Sequence, residues 1–81
     1  MNIYFVLQND NGGYDTYDSF VCVAPDEETA RNMSPAGGAM DWRDEWSTSS
    51  WARDSTRVSV RLIGKAKDKA QTVICSSFNA G

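Results

Sequence analysis

Asn2-Ile3-Tyr4-Phe5-Val6-Leu7-Gln8 runs straight into Asn9-Asp10-Asn11-Gly12-Gly13, and this junction decides the fold. In the first stretch Ile3, Phe5 and Leu7 alternate with Tyr4, Val6 and Gln8. β-Branched and aromatic residues dominate it, which is the pattern of a strand with a strongly apolar face. The second stretch concentrates residues that tolerate left-handed backbone angles or bond their own main chain, so the chain must turn there. Beyond the turn, Ser19-Phe20-Val21-Cys22-Val23-Ala24 is apolar on both alternating sets, as suits a second strand that is central or covered on both faces. An opening β-hairpin follows.

The remaining elements are read outward from that hairpin. Pro25 stops the second strand, and Asp26 is placed to cap a helix over Glu27 to Met33. The early acids of that helix complement the positive end of its dipole, and Ala30 and Met33 would face the sheet. Ser34-Pro35-Ala36-Gly37-Gly38 ends the helix. An insert at about 36-56 then reads as flexible or as a short helix, with Trp42 and Trp46 four apart as on one helical face. Arg57-Val58-Ser59-Val60-Arg61-Leu62-Ile63 alternates cleanly, with Val58, Val60 and Leu62 expected inward, before Gly64 breaks the run. After the polar, cationic stretch Lys65 to Gln71, Thr72-Val73-Ile74-Cys75-Ser76-Ser77-Phe78 reads as a last strand that could complete a hairpin with the one before it. The expectation is one α+β domain over residues 1-81, in the order β-β-α-(α)-β-β. It has a four-stranded, mainly antiparallel sheet, one main helix packed on one face and exposed sheet on the other.

The chain has 81 residues, 41% apolar and 23% charged, with a formal net charge of -3, so it is globular in composition with room for only a thin core. It contains no histidine, which excludes a Ser-His-Asp triad, a Cys-His pair and any histidine-ligated metal. Gly12-Gly13 and Gly37-Gly38 lack the lysine and hydroxyl of a phosphate-cradling loop. Asn9 to Asp18 is rich in oxygen ligands, yet no glutamate stands at the twelfth position of a calcium loop counted from Asn9 or Asp10, so turn chemistry accounts for it better. Asp15 with Asp18, or Asp41 with Asp44 or Glu45, could pair carboxylates, but loop spacing fixes no distance between them. No enzyme, metal or cofactor is expected. Cys22 and Cys75 sit in apolar runs and read as buried thiols, able to form a disulfide only if their strands are neighbours. The opening residues have neither the basic flank nor the apolar length of a signal peptide or a membrane span, which points to a soluble protein of the cytoplasm with no membrane partner.

Charge is uneven along the chain. Residues 1-50 hold nine acids and two bases, whereas residues 51-81 hold two acids and six bases. With a pI of 4.6, direct nucleic-acid binding is not expected. An acidic surface that occupies another molecule's cationic groove fits better. The segment Asp41-Trp42-Arg43-Asp44-Glu45-Trp46, with Trp51 close behind, sets large rings among acids as an interface anchor does. Tyr14, Asp15, Tyr17 and Asp18 at the mouth of the second strand form a second such group. The candidate partner-binding residues are therefore Tyr14, Asp15, Tyr17, Asp18, Asp41, Trp42, Asp44, Glu45, Trp46 and Trp51. The same rings also serve to seal a small core or to pack over a sheet edge, and at least one tryptophan is expected in water.

Tyr14-Asp15-Thr16-Tyr17-Asp18-Ser19-Phe20-Val21, then Ala24-Pro25-Asp26-Glu27-Glu28-Thr29-Ala30-Arg31, Val60-Arg61-Leu62-Ile63-Gly64 and Ser77-Phe78-Asn79-Ala80-Gly81 resemble small bacteriophage accessory proteins of uncharacterised function. The resemblance implies a viral origin and transfers no functional residues. The layout of a short opening strand, a second strand and an acid-capped helix also looks like that of several small anti-CRISPR proteins. The expected function is a phage counter-defence inhibitor that offers an acidic, aromatic surface to a cationic groove of a host defence protein or complex. One alternative is an oligomeric binder that sequesters a small nucleotide-like immune signal through Arg57, Arg61 and the tyrosines. Another is a phage structural or regulatory accessory protein. A homo-oligomer is left open.

Overall fold

The computed structural model of the chain describes residues 1–67 and 70–79. Its elements are β1 (Asn2–Gln8), β2 (Thr16–Ala24), α1 (Glu27–Arg31), α2 (Glu45–Ser49), a 3₁₀ turn at Ser55–Arg57, β3 (Val58–Lys65) and β4 (Thr72–Asn79). The strands form one antiparallel sheet in the order β3-β1-β2-β4. The α+β class and the four-stranded sheet are as expected. In place of one main helix there are two short helices of five residues each.

β3 and β4 do not form a hairpin. They lie on opposite edges, so the connection between them carries the chain across the end of the sheet, where the Ala66 amide donates to the Met1 carbonyl at 2.9 Å. The physical reason lies in β2, whose Phe20, Val21 and Cys22 are apolar on both faces. With β4 against its free edge, β2 becomes a central strand with its backbone groups paired on both sides. The cationic run between β3 and β4 includes residues 68 and 69, and the resembling C-terminal segment includes residues 80 and 81; these lie outside the described residues.

The covered face of the sheet is not the one with the strongest apolar alternation. Tyr4, Val6 and Gln8 are buried, whereas Ile3, Phe5 and Leu7 are half-buried on the face that no helix covers. Cross-strand pairing explains the choice, because Tyr4 opposes Cys22 and Val6 opposes Phe20, and the helical layer lands on that set. Gln8 is buried because its amide organises the turn. Its Oε1 accepts from the Asp10 and Asn11 amides, each at 2.7 Å, and its Nε2 donates to the Asn11 and Tyr17 carbonyls at 2.7 and 2.9 Å. Trp51, Phe20, Met33, Val6 and Cys22 are the largest fully buried side chains, and the Trp51 and Phe20 rings meet at 5.4 Å and 52°.

Asp26 caps α1 by accepting from the Thr29 amide at 2.7 Å, and Ala30 and Met33 face the sheet. The helix stops at Arg31, sooner than Met33, because Asn32 turns its side chain back to the Glu28 carbonyl and its own carbonyl accepts from the Met40 amide. The Arg31 guanidinium donates to the Ser55 and Val58 carbonyls and ties α1 to the start of β3. Cover is therefore concentrated at that end of β3. Val58 is buried, Val60 is half-buried, and Leu62, expected inward, is 58% exposed. β3 continues through Gly64 to Lys65, with a register shift opposite Ile3 and Tyr4.

Candidate protein-binding surface

The second helix is held from below. Met40, buried, and Trp42, half-buried with its indole N–H donating to Asn32 Oδ1 at 2.9 Å, dock the entering chain onto the end of α1. Asp44 opens α2, with the Ser47 hydroxyl donating to its Oδ2 at 2.8 Å. At the other end Asn11 Nδ2 donates to the Ser49 carbonyl at 2.7 Å, and the Tyr17 amide donates to the Ser50 carbonyl at 2.8 Å. Trp51 then plunges into the core, while Arg53 grips Asp10 through Nη2 at 2.8 Å and Nε at 3.2 Å. Trp46 is left standing outward on this strap, 84% exposed.

The three tryptophans thus divide. Trp46 is surface, Trp42 is half-buried, and Trp51, expected at the interface, is core. Trp42 and Trp46 do not share a helical face, because the helix begins only at Glu45. Their spacing is bridged by a turn in which the Asp44 amide donates to the Asp41 carbonyl. The carboxylates of Asp41, Asp44 and Glu45, close to Trp46 in sequence, enter no ion pair among the described residues. Arg43, exposed between them, is the one base in that segment.

The tyrosine group reaches the same end of the molecule through the Asn11 and Tyr17 bonds to α2. Tyr14 is 79% exposed, and Asp15 beside it takes a left-handed φ of 57° that turns the chain into β2. Tyr17 is half-buried and leans on Phe78, with centroids 4.8 Å apart at 59°, so it packs over the β4 edge. Asp18 stands at a register shift of β2, exposed, with the Ser19 hydroxyl donating to it.

Asp10 is the residue sequence reasoning passed over. Its side chain is only 7% exposed and meets both Arg53 and Arg57, the latter at 3.3 Å. The hydrogen bond from Arg53 is the main reason its carboxyl is lowered to about 2. The local sequence carries no signal for it, because Gln8, whose amide organises the turn, is of a residue type that is mostly exposed. Two shallow grooves flank this group, one of about 280 Å³ along Asn11, Thr48, Ser49 and Arg53 and one of about 240 Å³ along Asn9, Arg57 and Ser59. Both are smaller and more open than a site that encloses a small molecule. Among the described residues no three acid or cysteine side chains converge as metal ligands do.

Cys22 and Cys75 lie on neighbouring strands, but Cys22 opposes Val73 and Cys75 opposes Val21, which places them on opposite faces. Both are free thiols, and Cys75, expected inside, is exposed. Among the described residues no helix is long and apolar enough to cross a membrane. No family model matches this chain, and no curated protein or solved structure matches it.

Proposed function

We propose that this chain is a non-catalytic binding protein of the counter-defence type, which inhibits a host immune complex by setting Trp46 and its surrounding carboxylates into a cationic groove. The observation that carries the reading is the placement of Trp46. A large indole stands in water on a strap fixed at both ends, close in sequence to Asp41, Asp44 and Glu45, which have no ion-pair partner among the described residues. An exposed aromatic anchor with a rim of one charge sign, presented on an ordered element, suits a partner that is concave and basic. Tyr14, Asp15 and Asp18 extend the acidic rim at the same end.

Sequestration of a nucleotide-like signal has less support. Arg57 is engaged by Asp10, Arg61 lies out on β3, and Tyr17 packs against Phe78 of β4, at the opposite edge of the sheet from β3. The test is capture from lysate of the natural host by the tagged chain, read by mass spectrometry. The reading expects a stoichiometric host protein with a basic groove. It also expects Trp46→Ala combined with Asp44→Lys to abolish capture while leaving the far-ultraviolet circular dichroism unchanged. Retention of the same protein by the folded double variant would refute it.

A further inference from the structure

Asn11 is the one asparagine in the chain with glycine after it; Asn2, Asn9, Asn32 and Asn79 precede isoleucine, aspartate, methionine and alanine. The amide nitrogen that follows an asparagine can attack its Cγ once it loses its proton, and glycine leaves that nitrogen least crowded. The β1–β2 turn brings the parts of this reaction together. Gly12 is exposed, and a Cβ added there meets no atom within 4 Å, so water and base reach its N–H. Among the described residues that N–H has no acceptor. Gln8 Nε2 donates to the Asn11 carbonyl at 2.7 Å, which draws electron density from the Asn11–Gly12 peptide and makes its N–H easier to deprotonate. The Gly13 amide donates to Asn11 Oδ1 at 3.3 Å. This bond folds the side chain back over the Gly12 peptide and sets a donor where negative charge develops during attack. Gln8 Oε1 accepts from the Asn11 amide as well, so the residue is held from both sides.

We propose that Asn11 is a self-modification site, which deamidates in the folded chain and thereby unlatches the end of α2. Hydroxide takes the Gly12 amide proton, and the nitrogen lone pair forms a bond to Asn11 Cγ. The Cγ–Nδ2 bond then breaks, and Nδ2 leaves as ammonia with a proton returned by water, which closes a cyclic succinimide. Water adds to either imide carbonyl and opens the ring, giving aspartate or isoaspartate at position 11. Water is consumed and ammonia released in equal amounts, and nothing is oxidised or reduced.

The nitrogen that leaves is the latch itself. Asn11 Nδ2 donates to the Ser49 carbonyl at 2.7 Å, at the end of the helix that carries Trp46. A carboxylate in its place can only accept, and it sets negative charge against that carbonyl oxygen. The Tyr17 bond to Ser50 and the Arg53 pair with Asp10 involve neither atom, so they remain and confine the loosening to α2. Because the reaction is irreversible, it ages the Trp46 strap in one direction. The inference goes beyond the Trp46 reading and does not depend on it, since its readouts are a covalent change and local exchange, with no partner involved.

The test is incubation of the intact chain in neutral and mildly alkaline buffer, followed by peptide mapping that separates asparagine, aspartate and isoaspartate. Asn11 should convert at least about tenfold faster than Asn9, which is exposed in the same turn but precedes Asp10, and its rate should rise with hydroxide concentration. Gly12→Val crowds the attacking nitrogen at a position open to solvent, and should slow conversion by at least about tenfold with unchanged circular dichroism. Gly12→Ala, the smaller change, gives the same comparison should the valine variant not fold. Hydrogen exchange reads the latch through the Thr48 and Trp51 amides, which donate to the Asp44 and Thr48 carbonyls. In the converted chain and in Asn11→Asp these should exchange about three- to tenfold faster than in the native chain, while the Tyr4 and Val6 amides of β1 keep their native rates. Conversion of Asn11 no faster than that of Asn9, an undiminished rate in the folded Gly12 variant, or native exchange at Thr48 and Trp51 after conversion overturns the proposal. So does lost protection in β1, which would make the change a global unfolding and not a release of α2.

Discussion

Asp10 joins the β1–β2 turn to the end of the tryptophan strap, since the Arg53 and Arg57 that it holds follow Trp51 in sequence. Its folded carboxyl titrates near 2, against 3.8 for the free group, so it binds fewer protons folded than unfolded over that interval. Its contribution to stability is full above the unfolded value and is lost as the pH falls toward 2. The urea midpoint of the native chain should therefore exceed that of Asp10→Asn by a constant margin above about pH 5, and the margin should shrink toward about pH 2. A margin independent of pH would show that the carboxylate is not charged against its arginines. A second residue-scale expectation concerns the thiols. Burial pushes the Cys22 thiol up to about 11, and Cys75 is exposed on the uncovered face. Titration with a chromogenic disulfide at about pH 8 should label one thiol in the native chain and the second only after denaturation. Cys75 was misread because its apolar neighbours Val73 and Ile74 suggest burial, while exposure is decided by strand order, which no local pattern carries.

The strap that presents Trp46 depends on how sharply the chain turns after α1. Gly37 and Gly38 have φ of 111° and 73°, and the Ser34 amide donates to the Gly38 carbonyl at 2.8 Å across that turn. Neither position has an atom within 4 Å of an added Cβ, so the strain of a substitution is in the backbone alone. Gly38→Ala should lower stability by about 1–2 kcal/mol in urea unfolding. The tryptophans at either end of the strap's helix should respond in opposite ways. Trp51→Ala removes a fully buried ring packed on Phe20 and should destabilise by about 3–5 kcal/mol. Trp46→Ala should stay within about 0.5 kcal/mol of the native chain. Comparable losses at both would place Trp46 in the core. At this scale much was legible. β1 ends at Gln8 as its alternation indicates, Asp26 caps α1, and Pro25 closes β2. The insert was not, because the four-residue spacing of Trp42 and Trp46 suggests a shared helical face that α2, beginning at Glu45, does not give them, and which ring turns inward is settled by contact with Phe20 far away in sequence.

For the whole molecule, sheet order decides what each strand presents. Antiparallel pairing at both edges gives β1 and β2, the most apolar strands, the centre, and leaves Arg61 and Lys65 on one rim with the uncharged β4 on the other. Local alternation marks all four strands but cannot choose between a second hairpin and a crossing to the far edge. That choice follows from the need of β2 for a neighbour on each side. Neither alternation nor composition shows which acids share a surface with Trp46, since the −3 total hides how the charges separate in space. That separation has a kinetic consequence if the Trp46 surface binds a basic groove. Long-range attraction between the carboxylates and the groove acts on encounter and is screened over about 8–10 Å at moderate salt, whereas indole burial acts once contact is made. Raising salt from about 50 mM to about 500 mM should lower the association rate by tenfold or so while leaving dissociation nearly unchanged. Trp46→Ala should do the reverse, speeding dissociation at every salt concentration with little effect on association. Surface-captured chain against its purified partner separates the two rates. Salt that acted only on dissociation would mean that the carboxylates are buried in the contact and do not steer it, and the acidic rim would then have to be redrawn around whichever of Asp41, Asp44 and Glu45 alters dissociation when replaced.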